Sequence, residues 1–235
     1  MTKKGTLILI PNLLDEDNSA EHLVPMVADY TLNLTHFVAE SDKKLRQLLR
    51  KLHKTKDLNN LVIYPMDTHS GNESLNAAIR ALKSGIDVGV VSDAGLPCIA
   101  DPGAVMVGLA HASEIKVIPL PGASSIIMAL MASGMGGQSF TFNGYLSLNQ
   151  QEKQKELSRM EADARRNKIT QIFMETPYRN NQLLDNLLEK LNPDTRLCIA
   201  CSLTSKDEFI VTKTIKNWKH QKPDLHKKPC IFVMG

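Results

Sequence analysis

Apolar residues along this chain of 235 residues follow two spacings that alternate. Short continuous apolar runs, such as Gly5–Ile10 and Asp87–Val91, are typical of strands that are buried on both faces. Between these runs, apolar residues recur three or four positions apart, as in Asp42–His53, and this spacing predicts amphipathic helices. Strands that alternate with helices form a mostly parallel sheet covered on both faces. We therefore expect an N-terminal α/β domain over residues 1–120.

The pattern becomes more mixed after residue 120. Strands are predicted at Ile169–Met174 and Arg196–Leu203, and a long charged helix at Gln150–Asn167. The segment Phe209–Thr214 alternates apolar and polar residues, which is typical of an antiparallel strand with one wet face. Residues 121–235 are therefore expected to form a second α/β domain with a mixed sheet.

Three local predictions concern the first domain. The polar segment Asp15–Ser19 precedes a helix predicted through Glu21–Asp29. Leu32–Val38 is predicted to be the second strand. Ser41 is predicted to cap the helix that follows, because its hydroxyl can accept a hydrogen bond from a free N–H of the first turn.

Composition narrows the class of protein. The chain is 43% hydrophobic, and folding at this length buries roughly 70–75% of the unfolded surface without a disulfide or structural metal. Its four cysteines are too few and too scattered for a secreted disulfide framework. No apolar run reaches the roughly 18 residues of a membrane span, and Leu7–Ile10 is too short for a signal-peptide core. These features predict a soluble cytoplasmic protein without a metal site or a membrane partner.

Charge is unevenly distributed although the formal net charge is only +3. Lys43–Lys56 carries seven lysines and arginines and no acidic residue, and Lys206–Lys228 carries seven lysines against three acidic residues. Such segments bind phosphate backbones. They are also typical of a solvated helix face and of a surface loop, and the sequence leaves both interpretations open.

Three loops with ligand-binding chemistry follow predicted strands. In an open α/β sheet, ligands bind beyond the carboxyl ends of the strands. The loops are Ser92–Pro97 with its continuation to Gly103, Pro119–Ser125, and Glu175–Arg179. Each is also explained by ordinary turn and cap chemistry: an Asx turn at Asp93, a helix cap at Ser124, and a salt-bridged turn at Glu175.

Taken together, these loops resemble the tetrapyrrole methylase superfamily. The segment VGVVSDAGLPCIADPG resembles the hallmark of its branch that methylates ribose 2′-hydroxyls in small-subunit ribosomal RNA, which typically reads SDAGTPLISDPG. Further matches in the same order are GTLILIPNL, FVAESDKKLRQLL, PLPGASSIIMALMASG with FNGYL, FMETPYR and LTSKDEF. The resemblance covers nearly the whole chain.

The resemblance implies two α/β domains that hold S-adenosylmethionine (SAM) in the cleft between them, usually as a homodimer. It implies SAM-dependent 2′-O-methylation of a ribose in small-subunit ribosomal RNA, with S-adenosylhomocysteine as product. Pro11 is expected to line the substrate side of the cleft. The cofactor-site residues carried over by motif are Pro11, Ser92, Asp93, Ala94, Gly95, Pro97, Ser124, Ser125 and Met174.

A ribose hydroxyl is a poor nucleophile, so a base or a hydrogen-bond acceptor is expected beside it. Glu40 and Glu175 are the candidates. The cations of Lys43–Lys56 are expected to contact RNA, so charge reversal at Arg46, Arg50 and Lys51 should weaken RNA binding.

The chain departs from the family pattern in its shortened first loop, at Leu96 and at Cys201–Ser202. Two other functions stay open. The resemblance to the superfamily as a whole implies C-methylation of a tetrapyrrole precursor as one alternative, and the shortened first loop and Cys201–Ser202 leave SAM binding without catalysis as the other.

Overall fold

The computed structural model describes residues 3–66 and 73–235. The chain divides into two compact units, Met1–Ser124 and Ser125–Gly235. The division therefore falls at residue 124, close to the boundary at residue 120 expected from the change of pattern. Each unit contains one five-stranded sheet.

The sheet of the first unit is parallel throughout. Its spatial order is β3-β2-β4-β1-β5, which puts the continuously apolar β4 in the centre between β2 and β1. All four residues of β4 are buried, as expected for a strand covered on both faces. The strands are β1 (Thr6–Ile10), β2 (His36–Ala39), β3 (Val62–Pro65), β4 (Val88–Val91) and β5 (Lys116–Pro119).

Helices cover both faces of this sheet. In β1, Ile8 and Ile10 belong to one buried cluster, whereas Leu7 belongs to another, because successive side chains of a strand point to opposite faces. The helices are α1 (Pro25–Leu32), α2 (Asp42–Leu52), α3 (Glu73–Lys83) and α4 (Ala104–Ala112).

The segment before β2 differs from its prediction. A 3-10 turn occupies Ala20–His22, and α1 begins at Pro25 and continues to Leu32. Proline has no N–H to donate and fits the first turn of a helix, so Pro25 starts the helix instead of lying inside it. The extension of α1 to Leu32 shortens β2 to His36–Ala39. The predicted cap of α2 is confirmed, because the Ser41 hydroxyl accepts a hydrogen bond from the Lys44 N–H.

The sheet of the second unit is mixed, in the order β6-β7-β10-β8-β9. Strands β6 and β7 are parallel, and the pairs β7–β10, β10–β8 and β8–β9 are antiparallel. The strands are β6 (Phe140–Tyr145), β7 (Thr170–Met174), β8 (Arg196–Cys201), β9 (Phe209–Thr214) and β10 (Cys230–Met234). The helices are α5 (Ser125–Ala132), α6 (Gln150–Asn167), α7 (Asn180–Lys190) and α8 (Ile215–His220).

Aromatic residues form the centre of the second unit's core. Phe173 of β7 and Phe232 of β10 are register partners whose rings stack with centroids 5.6 Å apart. Trp218 of α8 is buried, and its indole N–H donates to the Leu197 carbonyl at 2.9 Å. Helix α8 was not predicted because its six residues are too few to show a helical spacing.

The predicted fold class is confirmed: α/β, with a parallel first sheet and a mixed second sheet. Across residues 3–66 and 73–235, no helix combines the length and the apolar character needed to cross a membrane. The four cysteines, Cys98, Cys198, Cys201 and Cys230, are free thiols.

The ring pair in this core gives a stability prediction. Phe232→Ala should lower the free energy of unfolding of the second unit by about 3–5 kcal/mol, because it removes a buried ring and leaves a cavity. Urea unfolding followed by the fluorescence of Trp218, the single tryptophan, measures this unit. Leu148→Ala is the control, since Leu148 is 69% exposed and should change stability by less than about 0.5 kcal/mol. Equal effects of the two substitutions would contradict the packing described here.

Candidate functional site

The carboxyl ends of the parallel strands in the first unit bring the candidate loops to one edge of the sheet. Ile10 of β1 and Ala39 of β2 are both register partners of Val91 in β4. The next residues along the chain are Pro11, Glu40 and Ser92, respectively. Parallel pairing alone therefore gathers three segments that are far apart in the sequence.

Asn12 holds the loop that follows β4. Its side-chain Nδ2 donates to the carbonyls of Ser92 at 3.0 Å and Asp93 at 3.2 Å. Its backbone N–H donates to the Gly95 carbonyl at 2.8 Å, and its Oδ1 accepts from the Leu13 N–H. Asn12 is buried, so these bonds form away from competing water. The first loop is short, yet it fixes the backbone of Ser92–Gly95.

Glu40, the residue after β2, contacts the same loop. Its Oε2 accepts the Asp93 N–H at 2.7 Å. Partial burial of the carboxyl raises the pKa of Glu40, the hydrogen bond from the Asp93 N–H opposes this shift, and the nearby Asp101 and Asp93 carboxylates add to it. Glu40 is thus a carboxyl group with increased proton affinity at the carboxyl edge of the sheet.

Asp93 has one carboxylate oxygen in an ion pair and one that accepts no hydrogen bond within residues 3–66 and 73–235. Its Oδ2 lies 3.5 Å from the Lys44 Nζ, which also lies 3.7 Å from Glu16 Oε1. Its Oδ1 is buried and accepts no hydrogen bond from any residue that the structure describes. A buried acceptor without a donor is costly, which makes this oxygen a natural partner for a ligand hydroxyl.

Two glycines allow the loops to approach closely. Gly95 has a φ of +68°, a conformation that other residues adopt at a cost. A Cβ atom at Gly122, in the loop after β5, would lie 2.2 Å from Cβ of Pro11. The loops after β1 and β5 therefore pack without space for a methyl group.

Asp101 serves the turn that precedes α4. Its Oδ2 accepts the Cys98 N–H and its Oδ1 accepts the Gly103 N–H, each at 2.7 Å. Cys98 and Ala100 have φ values of 68° and 61°, so these two bonds stabilise a turn in an unfavourable backbone conformation. This is a structural role for Asp101, as its position before a helix indicates.

A cavity of about 380 Å³ opens beside the Asn12–Asp93 contact, within the first unit. Both acidic and basic side chains line it, and helix α2 supplies half of its wall. The lining residues are Asn12, Leu13, Glu16, Asp17, Lys44, Gln47, Leu48, Arg50, Lys51 and Asp93.

Part of the basic segment Lys43–Lys56 is committed to internal contacts. Arg46 pairs with Asp42 at 2.7 Å, and Lys51 donates to the Glu16 and Asn18 carbonyls. Lys56 donates to the carbonyls of Thr31, Leu32 and Leu34 at the end of α1. Lys43, Arg50 and Lys54 are exposed. Of the three residues expected to contact RNA, the structure thus gives internal bonds to Arg46 and Lys51 and leaves Arg50 at the surface.

The remaining predicted residues belong to the second unit or to the unit boundary. Ser124 ends the first unit, Ser125 begins α5, and Met174 ends β7, where it is half-buried. Glu175 follows Met174 and is buried. Its Oε1 accepts from the Arg179 guanidinium at 2.7 Å and from the Thr176 N–H at 2.6 Å.

The ion pair determines the proton affinity of Glu175. Burial alone would raise the pKa of its carboxyl, but the hydrogen bonds from Arg179 and from the Thr176 N–H lower the pKa below its ordinary value. A carboxylate with lowered pKa is a weak base. This arrangement agrees with the salt-bridged turn that the sequence left open. In the part of the chain that the structure describes, no group of three or more His, Cys, Asp or Glu residues is arranged to hold a metal ion.

The sequence of this chain is similar to that of a known protein family. Residues 19–218 match the model of the Tetrapyrrole (Corrin/Porphyrin) Methylases. The chain belongs to the tetrapyrrole methylase family. The predicted enzyme class, a SAM-dependent methyltransferase, is confirmed with it.

Curated relatives of this chain include proteins named ribosomal RNA small subunit methyltransferase I. The one from Bacillus subtilis is 32% identical over 98% of this chain and 75% of its own length. The one from Haemophilus influenzae is 30% identical over 73% of this chain, and the match spans 60% of its own length. The chain thus spans only part of these relatives.

Solved structures share the fold at low identity. The methyltransferase CobJ superposes with a TM-score of 0.65 at 17% identity, covering 98% of this chain and 94% of its own. A uroporphyrin-III C-methyltransferase from Thermus thermophilus, complexed with S-adenosylhomocysteine, gives 0.57 at 15%, covering 98% and 97%. At these identities the likeness concerns the fold.

The Asn12 contacts predict a local change in dynamics. Asn12→Ala removes two side-chain hydrogen bonds to the carbonyls of Ser92 and Asp93. Each such bond is worth about 0.5–1.5 kcal/mol, so amide exchange in the peptide spanning Ser92–Pro97 should accelerate roughly tenfold or more. Hydrogen exchange with mass spectrometry measures this rate. Asn186→Ala, which removes an exposed bond within α7, should leave the same peptide unchanged.

Proposed function

We propose that this member of the tetrapyrrole methylase family transfers a methyl group from SAM to a ribose 2′-hydroxyl of small-subunit ribosomal RNA. The observation that carries the proposal is the loop Ser92–Gly95, held at the carboxyl edge of the parallel sheet by Asn12 and Glu40. The names of the curated relatives support an RNA acceptor. The cavity beside the loop has basic residues (Lys44, Arg50 and Lys51) and acidic residues (Glu16, Asp17 and Asp93) in its wall.

The residues proposed to hold SAM have suitable donor and acceptor chemistry. Asp93 Oδ1 is a buried acceptor with no donor among the described residues, and ribose hydroxyls are donors that match it. The glycine at position 95 lets the backbone approach a ligand closely. SAM supplies an electrophilic methyl group on a sulfonium. The proposed contacts are Pro11, Ser92, Asp93, Ala94, Gly95, Pro97, Ser124, Ser125 and Met174.

The principal catalytic task of this chain is to position the acceptor. Holding two reactants in line is worth about 7–11 kcal/mol of the barrier, provided that the site is rigid. Two elements of rigidity are the Asn12 hydrogen bonds and the close packing of Pro11 on Gly122. Neither needs a side chain that changes its protonation state.

Glu40 is the better of the two candidate bases. Its pKa is raised and its side chain is exposed at the carboxyl edge. Glu175, in contrast, has a lowered pKa and is buried against Arg179. A raised pKa brings a carboxylate closer to the pKa that favours proton abstraction near neutral pH. We therefore propose that Glu40 accepts the proton of the acceptor hydroxyl and that Glu175 holds the turn after β7.

Glu40→Gln should lower kcat by about 10²–10⁴-fold, which is the usual contribution of a general base. Glutamine keeps an oxygen that can accept the Asp93 N–H, so the loop should retain its structure. In the wild type, kcat/KM should rise with pH through a pKa above the ordinary glutamate value, because only the ionised carboxylate accepts a proton. This rise is the acidic limb of the pH profile, and the variant should lose it.

Glu16→Gln is the matched control, since Glu16 is also a glutamate near Asp93: both carboxylates pair with the Lys44 ammonium. It should leave the acidic limb in place. A Glu40→Gln variant that keeps both its rate and its pH profile would leave Glu40 with a structural role only.

The exposed cations of α2 and the segment after it are proposed to contact the RNA backbone. Lys43, Arg50 and Lys54 are exposed, whereas Lys51 and Lys56 bond backbone carbonyls. In the homodimer that the family resemblance implies, two copies of this face would be available. The dimer is part of this proposal, and sedimentation of the purified chain tests it.

Charge reversal of Lys43, Arg50 and Lys54 together should weaken RNA binding and flatten its salt dependence. For single-stranded RNA the slope of log K against log salt should fall by about two, since each phosphate contact contributes roughly 0.7. Reversal of Lys155, Arg159 and Arg166, three exposed cations of α6 in the second unit, is the matched control. If both triple variants lose equal affinity, the contact is a property of net charge and not of this face.

The function is tested with methyl-labelled SAM and extract from a host strain that lacks this gene, in which the target is unmethylated. Label in small-subunit ribosomal RNA at one position, resistant to alkaline cleavage, is the expected result. Label in a small coloured molecule would replace the RNA acceptor by a tetrapyrrole. Bound SAM without label in any fraction, including assembling ribosomal particles, would indicate binding without catalysis.

A further inference from the structure

Tyr178 is an exposed aromatic side chain in a turn that hydrogen bonds hold against the segment 224–228. The residue is 71% exposed, although a tyrosine ring is costly to leave in water. It lies in the turn between β7 and α7, four positions after Met174. The Lys227 ammonium lies 6.0 Å from the ring centroid, and the His226 ring meets it edge-on at 6.3 Å.

Hydrogen bonds join this turn to the segment 224–228. The Lys227 N–H donates to the Pro177 carbonyl at 3.0 Å. In the first turn of α7, Asn180 Nδ2 donates to the Lys228 carbonyl at 2.7 Å, and Asn181 Oδ1 accepts the Leu225 N–H at 2.8 Å. Leu225 is only 1% exposed and anchors the segment in the core. The ring and its neighbouring cations therefore stand on a preorganised surface.

The charge around the ring is favourable for a phosphate. Lys227 and Lys228 lie in the segment 224–228, and the acidic residues of this segment and of the turn 175–179 are Asp224 and Glu175. The Asp224 carboxylate accepts from Asn181 and from the His226 N–H, and Glu175 is buried against Arg179. The basic segment Lys206–Lys228 thus ends beside an exposed aromatic ring.

We propose that Tyr178 and Lys227 form a platform on which an unpaired base of the RNA acceptor stacks, with its phosphate at Lys227. Proteins that read single-stranded RNA stack its bases on aromatic rings and pair its phosphates with nearby cations. This inference rests on the proposed RNA acceptor and extends it, because it names a contact outside the methyl-transfer loop. It also gives the segment Lys206–Lys228 a role beyond that of a surface loop.

The experiment measures binding of a fluorescein-labelled, short single-stranded RNA of mixed sequence to the full chain. Tyr178→Ala should weaken binding roughly 5- to 100-fold, which corresponds to the loss of one stacked base. Tyr178→Phe keeps the ring and should bind within about twofold of the wild type. Lys227→Gln should lower the slope of log K against log salt by about 0.7, as expected for one phosphate contact.

Tyr30→Ala is the matched control, since Tyr30 is also exposed, at 37%, and lies on α1 in the first unit. It should leave RNA affinity unchanged. Fluorescence of Trp218 verifies that each variant of the second unit is folded. Photocrosslinking of a 5-bromouridine-containing RNA should label the peptide that contains Tyr178, and this label should be lost in Tyr178→Ala.

The platform would be overturned if Tyr178→Ala bound the RNA as tightly as the wild type and if crosslinking of the wild type did not label the peptide that contains Tyr178. A protein partner would then be the better occupant of Tyr178. A loss in Tyr178→Phe as large as in Tyr178→Ala would also overturn it, because the hydroxyl and not the ring would then make the contact. If wild type and Tyr178→Ala methylated ribosomal RNA with the same KM, the platform would be wrong and the proposed function would remain supported. Label in a tetrapyrrole instead of RNA would remove the proposed function and the platform together.

Discussion

Parallel pairing of β4 between β1 and β2 is the constraint on which the candidate site depends. Because all three strands run in one direction, the residues that follow them meet at one edge, although they come from positions 11, 40 and 92. The register is fixed by burial: β4 is covered on both faces, and a slip of β4 by one residue would turn each of its side chains to the opposite face of the sheet. The polar contacts of Asn12 and Glu40 with the loop after β4 follow from this register.

Much of the fold could be predicted because its signals are local. Continuous apolar runs predicted the buried strands. The helical spacing of leucines in α2 predicted its buried face, which consists of Leu45, Leu48 and Leu49. The predictions were wrong where one residue outweighed the pattern: Pro25 moved the start of α1 and so shortened β2. Helix α8 was missed because its stability comes from burial of Ile215 and Trp218 in a core built by distant strands.

The site was only partly predictable from the sequence. The family motif pointed to Ser92–Pro97, but the motif says nothing about what holds that loop. Asn12 does so through carbonyls some 80 positions away, and no local spacing reveals such a bond. In the basic segment, charge alone predicted the same role for Arg50 and Lys51. The structure shows that they differ, because Arg50 is exposed whereas the Lys51 ammonium donates to backbone carbonyls. Only the direction of a side chain decides whether a cation is available to a partner.

The contact of Pro11 with Gly122 has a mechanical consequence. The Pro11 ring lies against the backbone at Gly122 with no space for a methyl group, so the loops after β1 and β5 are in direct contact. A shift of the first loop toward Gly122 would produce a steric clash, because protein interiors are close-packed. A ligand that pushes the first loop in that direction therefore also has to move the loop after β5, which leads within two residues to Ser124.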